Sequence, residues 1–168
     1  MSNDFSSAKN FLTDAISINP EIAYFYNLRG LAYSGDEEYD LAIKDYQKAL
    51  EIKPDYFDVF NNRAITYRKN KNYREALKDI DEYLKYNPDD PEALNNKGIT
   101  YYDVESFELA IATFDAVLKL KPDYWDAYNN RGLAKIKAGL KKEGCDDLKF
   151  AIEKGVIRAE NNYEKYCE

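Results

Sequence analysis

The chain has 168 residues, 45% of them hydrophobic, which is enough to bury a sizeable core. Its net charge of -7 and isoelectric point near 4.8 argue against nucleic acid as the main partner, because duplex binding depends on lysine and arginine neutralising phosphates. It has no histidine, the commonest general base and metal ligand, and no glycine-rich phosphate loop, so we expect a non-enzymatic protein without cofactor or metal.

The sequence also bears on location. No apolar run is long enough to span a bilayer, and no charged-then-apolar leader follows Met1. We therefore expect a cytoplasmic protein without a membrane span. A periplasmic location is the alternative if a leader has been removed.

The predicted elements follow a repeat, in which nearly the same sequence recurs in segments 23–56, 57–90, 91–124 and 125–158. Such self-similarity is typical of stacked supersecondary units and not of a closed enzyme fold. In each segment, apolar residues at helical spacing predict two amphipathic helices, for example Phe60 and Ala64 in a first helix and Ala76 and Ile80 in a second. Each segment thus predicts a helical hairpin.

Certain positions have the same character in every segment. The eighth and twentieth residues are small, which lets two helices approach closely, whereas the eleventh, seventeenth and twenty-fourth are mostly large. The small residues are Gly30, Ala64, Gly98 and Gly132 at the eighth position, and Ala42, Ala76, Ala110 and Gly144 at the twentieth. Pro54, Pro88 and Pro122 close the first three segments, since proline stops a helix.

This pattern resembles the tetratricopeptide repeat family over nearly the whole chain. The resemblance implies an all-α fold, a right-handed α-solenoid of stacked antiparallel helix pairs. It also implies one repeat domain spanning residues 1–168 and a role in binding other proteins.

Residues 4–20 match only the second helix of a preceding unit, so we expect an incomplete N-terminal repeat. Phe11 falls at the twenty-third position, where the complete repeats carry residues expected to face water: Asp45, Asp79, Thr113 and Asp147. An exposed aromatic here predicts an association edge formed by Phe5 and Phe11. The alternative is a ring that packs on its own neighbours or is singly exposed, which is ordinary on protein surfaces.

The fourth repeat departs from the pattern, as expected for the end of a solenoid that needs a polar outer face. A helix over residues 156–166 is predicted to cap it. Cys145 and Cys167 lie in this last helical pair at similar heights and can meet. We expect two reduced thiols rather than a disulfide, because disulfides persist mainly in oxidising compartments.

By the family resemblance, ligands would bind along a concave groove formed by the first helices. The predicted groove residues are Asn27, Asn61, Asn62, Arg68, Lys69, Asn95, Asn96, Tyr102, Asn129, Asn130 and Lys137. Asn62, Asn96 and Asn130, one per repeat, predict a ladder of amides that reads the backbone of an extended peptide, although they are alternatively solvated architectural residues. Glu92 and Asp126 stand where the family's carboxylate clamp has lysine, so we expect no binding of acidic C-terminal tails. The groove is predicted to have a basic side and an acidic side, which favours a ligand of mixed charge: Arg68, Lys69 and Lys137 on one, and Asp58, Glu92, Asp103 and Asp126 on the other.

Two functions remain open at this point. The first is a non-catalytic interaction module that binds an extended peptide or partner segment along the groove. The second is a self-associating or docking scaffold that uses the incomplete N-terminal repeat, with a homodimer as one outcome. In both, the partner is another protein or a peptide.

Overall fold

The computed structural model describes the backbone of residues 2–168 and the side chains from Phe5 onward. This part of the chain forms ten α-helices and no β-strand. The helices are α1 (Ser2–Ile18), α2 (Ala23–Gly35), α3 (Tyr39–Ile52), α4 (Phe57–Lys69), α5 (Tyr73–Leu84), α6 (Pro91–Asp103), α7 (Phe107–Leu120), α8 (Trp125–Lys137), α9 (Lys141–Glu153) and α10 (Ile157–Cys167). They form two compact units, one reaching to Tyr86 and the other spanning Asn87–Glu168.

In the N-terminal unit, each helix packs on the next along the chain. Helices α2 and α3 form one hairpin and α4 and α5 another, α1 packs on α2, and the first helices α2 and α4 are neighbours. Ala42, Tyr46, Ala49 and Val59 are fully buried between them. The unit is therefore a stack of antiparallel helices, and a layer of buried side chains lies between successive helix pairs.

The C-terminal unit repeats this arrangement. Helices α6 and α7 form a hairpin, as do α8 and α9, and α10 packs on α9 and touches α8. Phe114, Val117, Leu148 and Ala151 are fully buried in its core. Asp90 caps α6 as the sequence indicates, since its Oδ1 accepts hydrogen bonds from the backbone N–H groups of Glu92 and Ala93.

The predicted fold class, all-α stacked helix pairs, is confirmed by this architecture. The predicted hairpins end where proline stops the second helix: α3 ends at Ile52 before Pro54, and α7 ends at Leu120 before Pro122. The single continuous domain over residues 1–168 stays a prediction.

Each hairpin depends on a close approach between its helices. A Cβ atom added to Gly30 would lie 2.7 Å from the ring of Tyr46, and one added to Gly98 would lie 2.6 Å from the ring of Phe114. Real Cβ contacts are not this short, so glycine is required opposite an aromatic ring. Where the eighth residue is alanine, as in Ala64, its partner at the twenty-fourth position is the smaller Ile80.

The turns inside the hairpins share a left-handed residue at the fifteenth position. Glu37, Lys71 and Glu105 have φ near +60°, and Gly139 has φ of +88° in the fourth repeat. A non-glycine residue in this conformation costs about 1 kcal/mol. The first three turns therefore carry this backbone strain, whereas glycine adopts the same conformation without strain in the fourth.

The aspartates at the twenty-third position do not face water, so that sequence prediction is wrong. Asp45, Asp79 and Asp147 are buried because each pairs through both carboxylate oxygens with an arginine of its own first helix. The pairs are Arg29 with Asp45 (2.7 and 2.8 Å), Arg63 with Asp79 (2.6 and 2.8 Å) and Arg131 with Asp147 (2.7 and 2.6 Å). The hydrogen bond to Asp45 raises the pKa of Arg29.

Two of these arginines, Arg29 and Arg131, also reach the preceding helix. Arg29 Nη1 donates to Thr13 Oγ1 at 3.0 Å, and Arg131 Nη1 donates to Asp115 Oδ1 at 2.6 Å. Each therefore joins three helices. Removing one partner of such a buried pair leaves an uncompensated charge, which costs about 3–5 kcal/mol.

The glycine contact gives a first testable prediction. Gly98→Ala should lower the free energy of unfolding by about 1–3 kcal/mol, because the fully buried ring of Phe114 has no room to move. Alanine's better helix propensity, about 1 kcal/mol, opposes this only in part. Adding Phe114→Ile reproduces the natural Ala64 and Ile80 pairing and should restore stability. Urea unfolding measures both variants, and a Gly98→Ala protein as stable as wild type contradicts the account.

A second prediction concerns alkaline pH. Burial raises the pKa of Tyr46 to about 12, above the value near 10 of an unfolded tyrosine. Its contribution to stability is complete below pH 10 and is lost as pH rises towards 12, by up to about 2–3 kcal/mol. Tyr46→Phe should remove this part of the alkaline loss, whereas Tyr24→Phe, at an exposed ring, should not. Equal alkaline loss in wild type and Tyr46→Phe would show that burial of Tyr46 is not the cause.

Candidate functional site

The first helices of the C-terminal unit carry a chain of hydrogen-bonded side-chain amides. Asn162 Nδ2 donates to Asn129 Oδ1 at 2.8 Å, Asn129 Nδ2 donates to Asn130 Oδ1 at 3.1 Å, and Asn130 Nδ2 donates to Asn95 Oδ1 at 3.1 Å. These four residues, termed the amide chain below, connect α10, α8 and α6. Their amide planes are thereby fixed in orientation.

The same arrangement occurs in the N-terminal unit. Asn62 Nδ2 donates to Asn27 Oδ1 at 3.0 Å, and Asn27 Nδ2 lies 3.4 Å from Tyr56 Oη. Asn61 Oδ1 is shielded from solvent and has no hydrogen-bond partner among the described residues. Within each unit, a sixth-position asparagine thus donates to the fifth-position asparagine of the preceding repeat, Asn62 to Asn27 and Asn130 to Asn95.

The two asparagine positions differ in burial, which divides the predicted groove residues into two groups. Asn27, Asn95 and Asn129 at the fifth position are buried, so they orient their neighbours rather than line a groove. Asn61, at the same position of the second repeat, is half-buried. The sixth-position residues are only half-buried: Asn62, Asn96, Asn130 and also Asn162. An asparagine has two N–H donors and an acceptor oxygen, so a bond to the fifth-position residue leaves capacity for a ligand.

An open pocket of about 470 Å³ lies at one end of this face in the C-terminal unit. It is lined by Tyr102, Asp103, Glu105, Phe107 and Lys137. The structure therefore brings together the predicted groove residues Tyr102 and Lys137. The Nζ atom of Lys137 lies 5.5 Å from the ring centroid of Tyr166, within range of a cation–π contact.

The remaining predicted groove residues lie in the N-terminal unit at the end of α4. Arg68 is half-buried and Lys69 is exposed. The basic side predicted for the groove therefore has one accessible cation in this unit and Lys137, also exposed, in the other.

Asn162 was missed by sequence reasoning, although a signal was present. The Asn161-Asn162 pair repeats the Asn129-Asn130 pair, but Asn162 and Asn129 are 33 residues apart whereas Asn130 and Asn95 are 35 apart. This shift hides α10 from a fixed period. Its hydrogen bond to Asn129 and the burial of Ala159 show that α10 takes the place of the first helix of a fifth repeat.

The two residues of the predicted association edge, Phe5 and Phe11, lie in different environments. Phe5 packs against α2, where a Cβ added to Gly35 would lie 2.6 Å from its ring, so it belongs to the interior packing. Phe11 is 72% exposed and Ile18 is 84% exposed. We call the surface formed by Phe11 and Ile18 the N-terminal face. In three of the complete repeats, the residue equivalent to Phe11 is an aspartate that bonds to the first helix of the same repeat.

Cys145 and Cys167 are joined by a disulfide in the structure, with 5.8 Å between their Cα atoms. The expectation of two reduced thiols is therefore wrong for this structure. The antiparallel packing of α9 and α10 places both residues near the open end of their hairpin, as the sequence indicates. The spacing had indicated that the two cysteines can meet, and reduced thiols were expected only because disulfides persist mainly in oxidising compartments.

Among the described residues, no group of three or more cysteine, aspartate or glutamate side chains is placed to hold a metal ion. No helix in the same part of the chain has the length and apolar character needed to cross a membrane.

Comparison with solved structures shows the fold of known repeat proteins. MamA from Desulfovibrio magneticus RS-1 superposes with a TM-score of 0.83 at 19% identity, covering 89% of this chain and 84% of that one. A second MamA structure gives 0.81 at 20%, covering 98% and 93%. YrrB, described as a tetratricopeptide repeat protein with an unusual peptide-binding site, gives 0.80 at 22%, covering 96% and 84%.

Comparison of the sequence with known proteins and family profiles identifies the family of this chain. A search of curated proteins found no significant match. Three profiles of the tetratricopeptide repeat match residues 23–56, 45–78 and 97–143, which together span more than half of the chain. Since these matches fall on the helical hairpins and together span more than half of the chain, the chain belongs to the tetratricopeptide repeat family.

Proposed function

We propose that this protein binds an extended peptide segment of another protein along the face of its first helices. Members of its family are protein-interaction modules. The observation that carries the proposal is the amide chain, in which buried asparagines hold half-buried asparagines in fixed orientation. Such a row offers donors and acceptors to a peptide backbone without selecting its side chains.

The charges around the amide chain bear on the kind of peptide. Glu92 and Asp126 lie at the amino-terminal ends of α6 and α8, where Arg158 Nη2 pairs with Asp126 Oδ1 at 2.7 Å. Lys137 lies at the carboxyl-terminal end of α8, beside the pocket lined by Tyr102 and Phe107. A bound segment would therefore meet Glu92 and the Asp126–Arg158 pair at one edge, and Lys137 with aromatic rings, Asp103 and Glu105 at the other. Both edges carry groups of both charges.

The amide chain also supports a function without catalysis. A polar row of amides has no group that titrates near neutral pH, so it offers no general acid or base. YrrB, a structural neighbour, is described by its peptide-binding site. We propose binding without catalysis for the present chain as well.

The third prediction tests the groove. A library of unstructured twelve-residue peptides displayed on phage is selected against the wild-type protein, and enriched peptides are titrated by fluorescence polarisation. Replacing Asn62, Asn96 and Asn130 together by alanine should weaken binding by about 10-fold or more, since each of the three lost hydrogen bonds is worth about 0.5–1.5 kcal/mol.

Asn10→Ala provides the matched control, because Asn10 is exposed on α1. It should leave the affinity unchanged. Thermal unfolding of each variant checks that the fold persists. Selected peptides that bind the triple variant as tightly as wild type would refute the groove as the binding surface.

The exposed N-terminal face favours a second function, self-association. We propose that this face pairs two copies of the chain through their α1 helices. Phe11 lies near the middle of α1, so an antiparallel pair of α1 helices places the two rings beside each other. Lys9 and Asp14 are the charged residues of α1 whose side chains are described, and Lys9 is occupied by Asp36 and Glu38. Pairing therefore brings few like charges together.

The fourth prediction concerns this pairing. Phe11→Ala should shift the sedimentation-equilibrium behaviour from a concentration-dependent dimer towards monomer, because most of the apolar area at the contact is lost. Leu109→Ala is the matched control, since Leu109 is a 53% exposed apolar residue on another second helix. A wild-type protein that stays monomeric at all concentrations removes self-association from consideration.

A further inference from the structure

The C-terminal helix α10 has an unusual position, because it forms one wall of the proposed groove while packing on only one side. It takes the place of a first helix, and α9 and α8 are the helices it contacts within the described chain. Ala159 is its one fully buried residue, while Tyr163 and Cys167 are partly buried against the core that contains Leu148. An isolated helix of this length is marginal in water, so α10 depends on its attachment.

Two covalent connections hold α10 in place. At its amino-terminal end, the chain turns at Gly155, whose φ of +84° suits glycine and leaves a short link to α9. At its carboxyl-terminal end, the disulfide joins Cys167 to Cys145 of α9. Breaking the disulfide would leave α10 joined at one end only.

The amide chain depends on α10 remaining docked. Asn162 Nδ2 donates the first hydrogen bond of the chain, to Asn129 Oδ1, and Asn129 in turn orients Asn130. The ring of Tyr166 stands beside Lys137, which lines the pocket. Undocking would remove one half-buried amide and release both Asn129 and Lys137 from these contacts.

We propose that the Cys145–Cys167 disulfide is a reversible redox switch that controls peptide affinity by fixing α10 against α9. This proposal rests on the groove function. A thiol reductant such as glutathione attacks one sulfur, forming a mixed disulfide and one protein thiol. A second reductant thiol then releases the other protein thiol and leaves oxidised glutathione, so two electrons and two protons reach the protein.

The size of the effect follows from loop closure. The disulfide closes a loop between residues 22 apart in sequence, for which the chain-entropy model gives a change in the docking equilibrium on the order of 100-fold. Amide exchange in α10 should therefore accelerate on the order of 100-fold on reduction, while exchange in α8 should be nearly constant. Peptide affinity should fall about 10-fold, corresponding to the loss of one hydrogen-bonded contact.

The fifth prediction is tested on the full chain in oxidised and reduced form, with the state verified by a free-thiol count under denaturing conditions. Hydrogen exchange is followed in α10 and α8, and phage-selected peptides are titrated against both forms. The Cys145→Ser, Cys167→Ser double variant should match the reduced protein with or without reductant. Asn162→Ala in the oxidised protein should lower peptide affinity while leaving the thiol count at zero.

Each outcome decides the proposal. Faster exchange in α10 together with weaker peptide binding supports it. Two free thiols in the protein before reduction, unchanged exchange in α10, or equal affinity in the two forms overturns it. If exchange accelerates but no peptide binds in either form, the groove function itself fails, and the disulfide is only a stabilising cross-link.

Discussion

The fit between the eighth residue of each first helix and the twenty-fourth residue of its second helix sets the geometry on which the rest of the structure depends. Gly30 accommodates Tyr46 and Gly98 accommodates Phe114 at distances that leave no room for a Cβ atom. Protein interiors are packed at crystal density, so such a contact fixes the separation of two helices within narrow limits. Every hairpin consequently presents the same side of its first helix, and sixth-position asparagines recur on that side.

The buried arginine–aspartate pairs add a second constraint. Arg29 and Arg131 each bond to the second helix of their own repeat and to the preceding helix, so they help to define how hairpins follow one another. The third repeat has Lys97 and Thr113 at these positions instead. On α1, Phe11 stands at the twenty-third position, where three of the complete repeats have the aspartate of the ion pair. The N-terminal face therefore offers an apolar contact in place of an ionic one. A helix that packed on this face with charged side chains would bury those charges unpaired, which is unfavourable.

The sequence predicted the helix positions, the hairpin pairing and the sixth-position asparagines, because each of these features recurs at a fixed position in every repeat that has it. The ion pairs were also within reach: Arg29 and Asp45, Arg63 and Asp79, and Arg131 and Asp147 are each 16 residues apart. Asn162 was not, because a shortened turn moves α10 out of register. The division between buried and half-buried asparagines depends on side-chain contacts between repeats, which no spacing rule contains. The spacing of Cys145 and Cys167 showed that they can meet, but it carries no information on whether they are oxidised.

The most direct test of the central claim is to observe the side-chain amides themselves. In ¹⁵N-labelled protein, addition of a phage-selected peptide should shift the side-chain NH₂ signals of Asn62, Asn96, Asn130 and Asn162, because an extended backbone bonds to these groups. Signals from α1 should stay constant. Shifts confined to residues around Phe11, with the asparagine signals unchanged, would contradict the account and place the working surface on the N-terminal face.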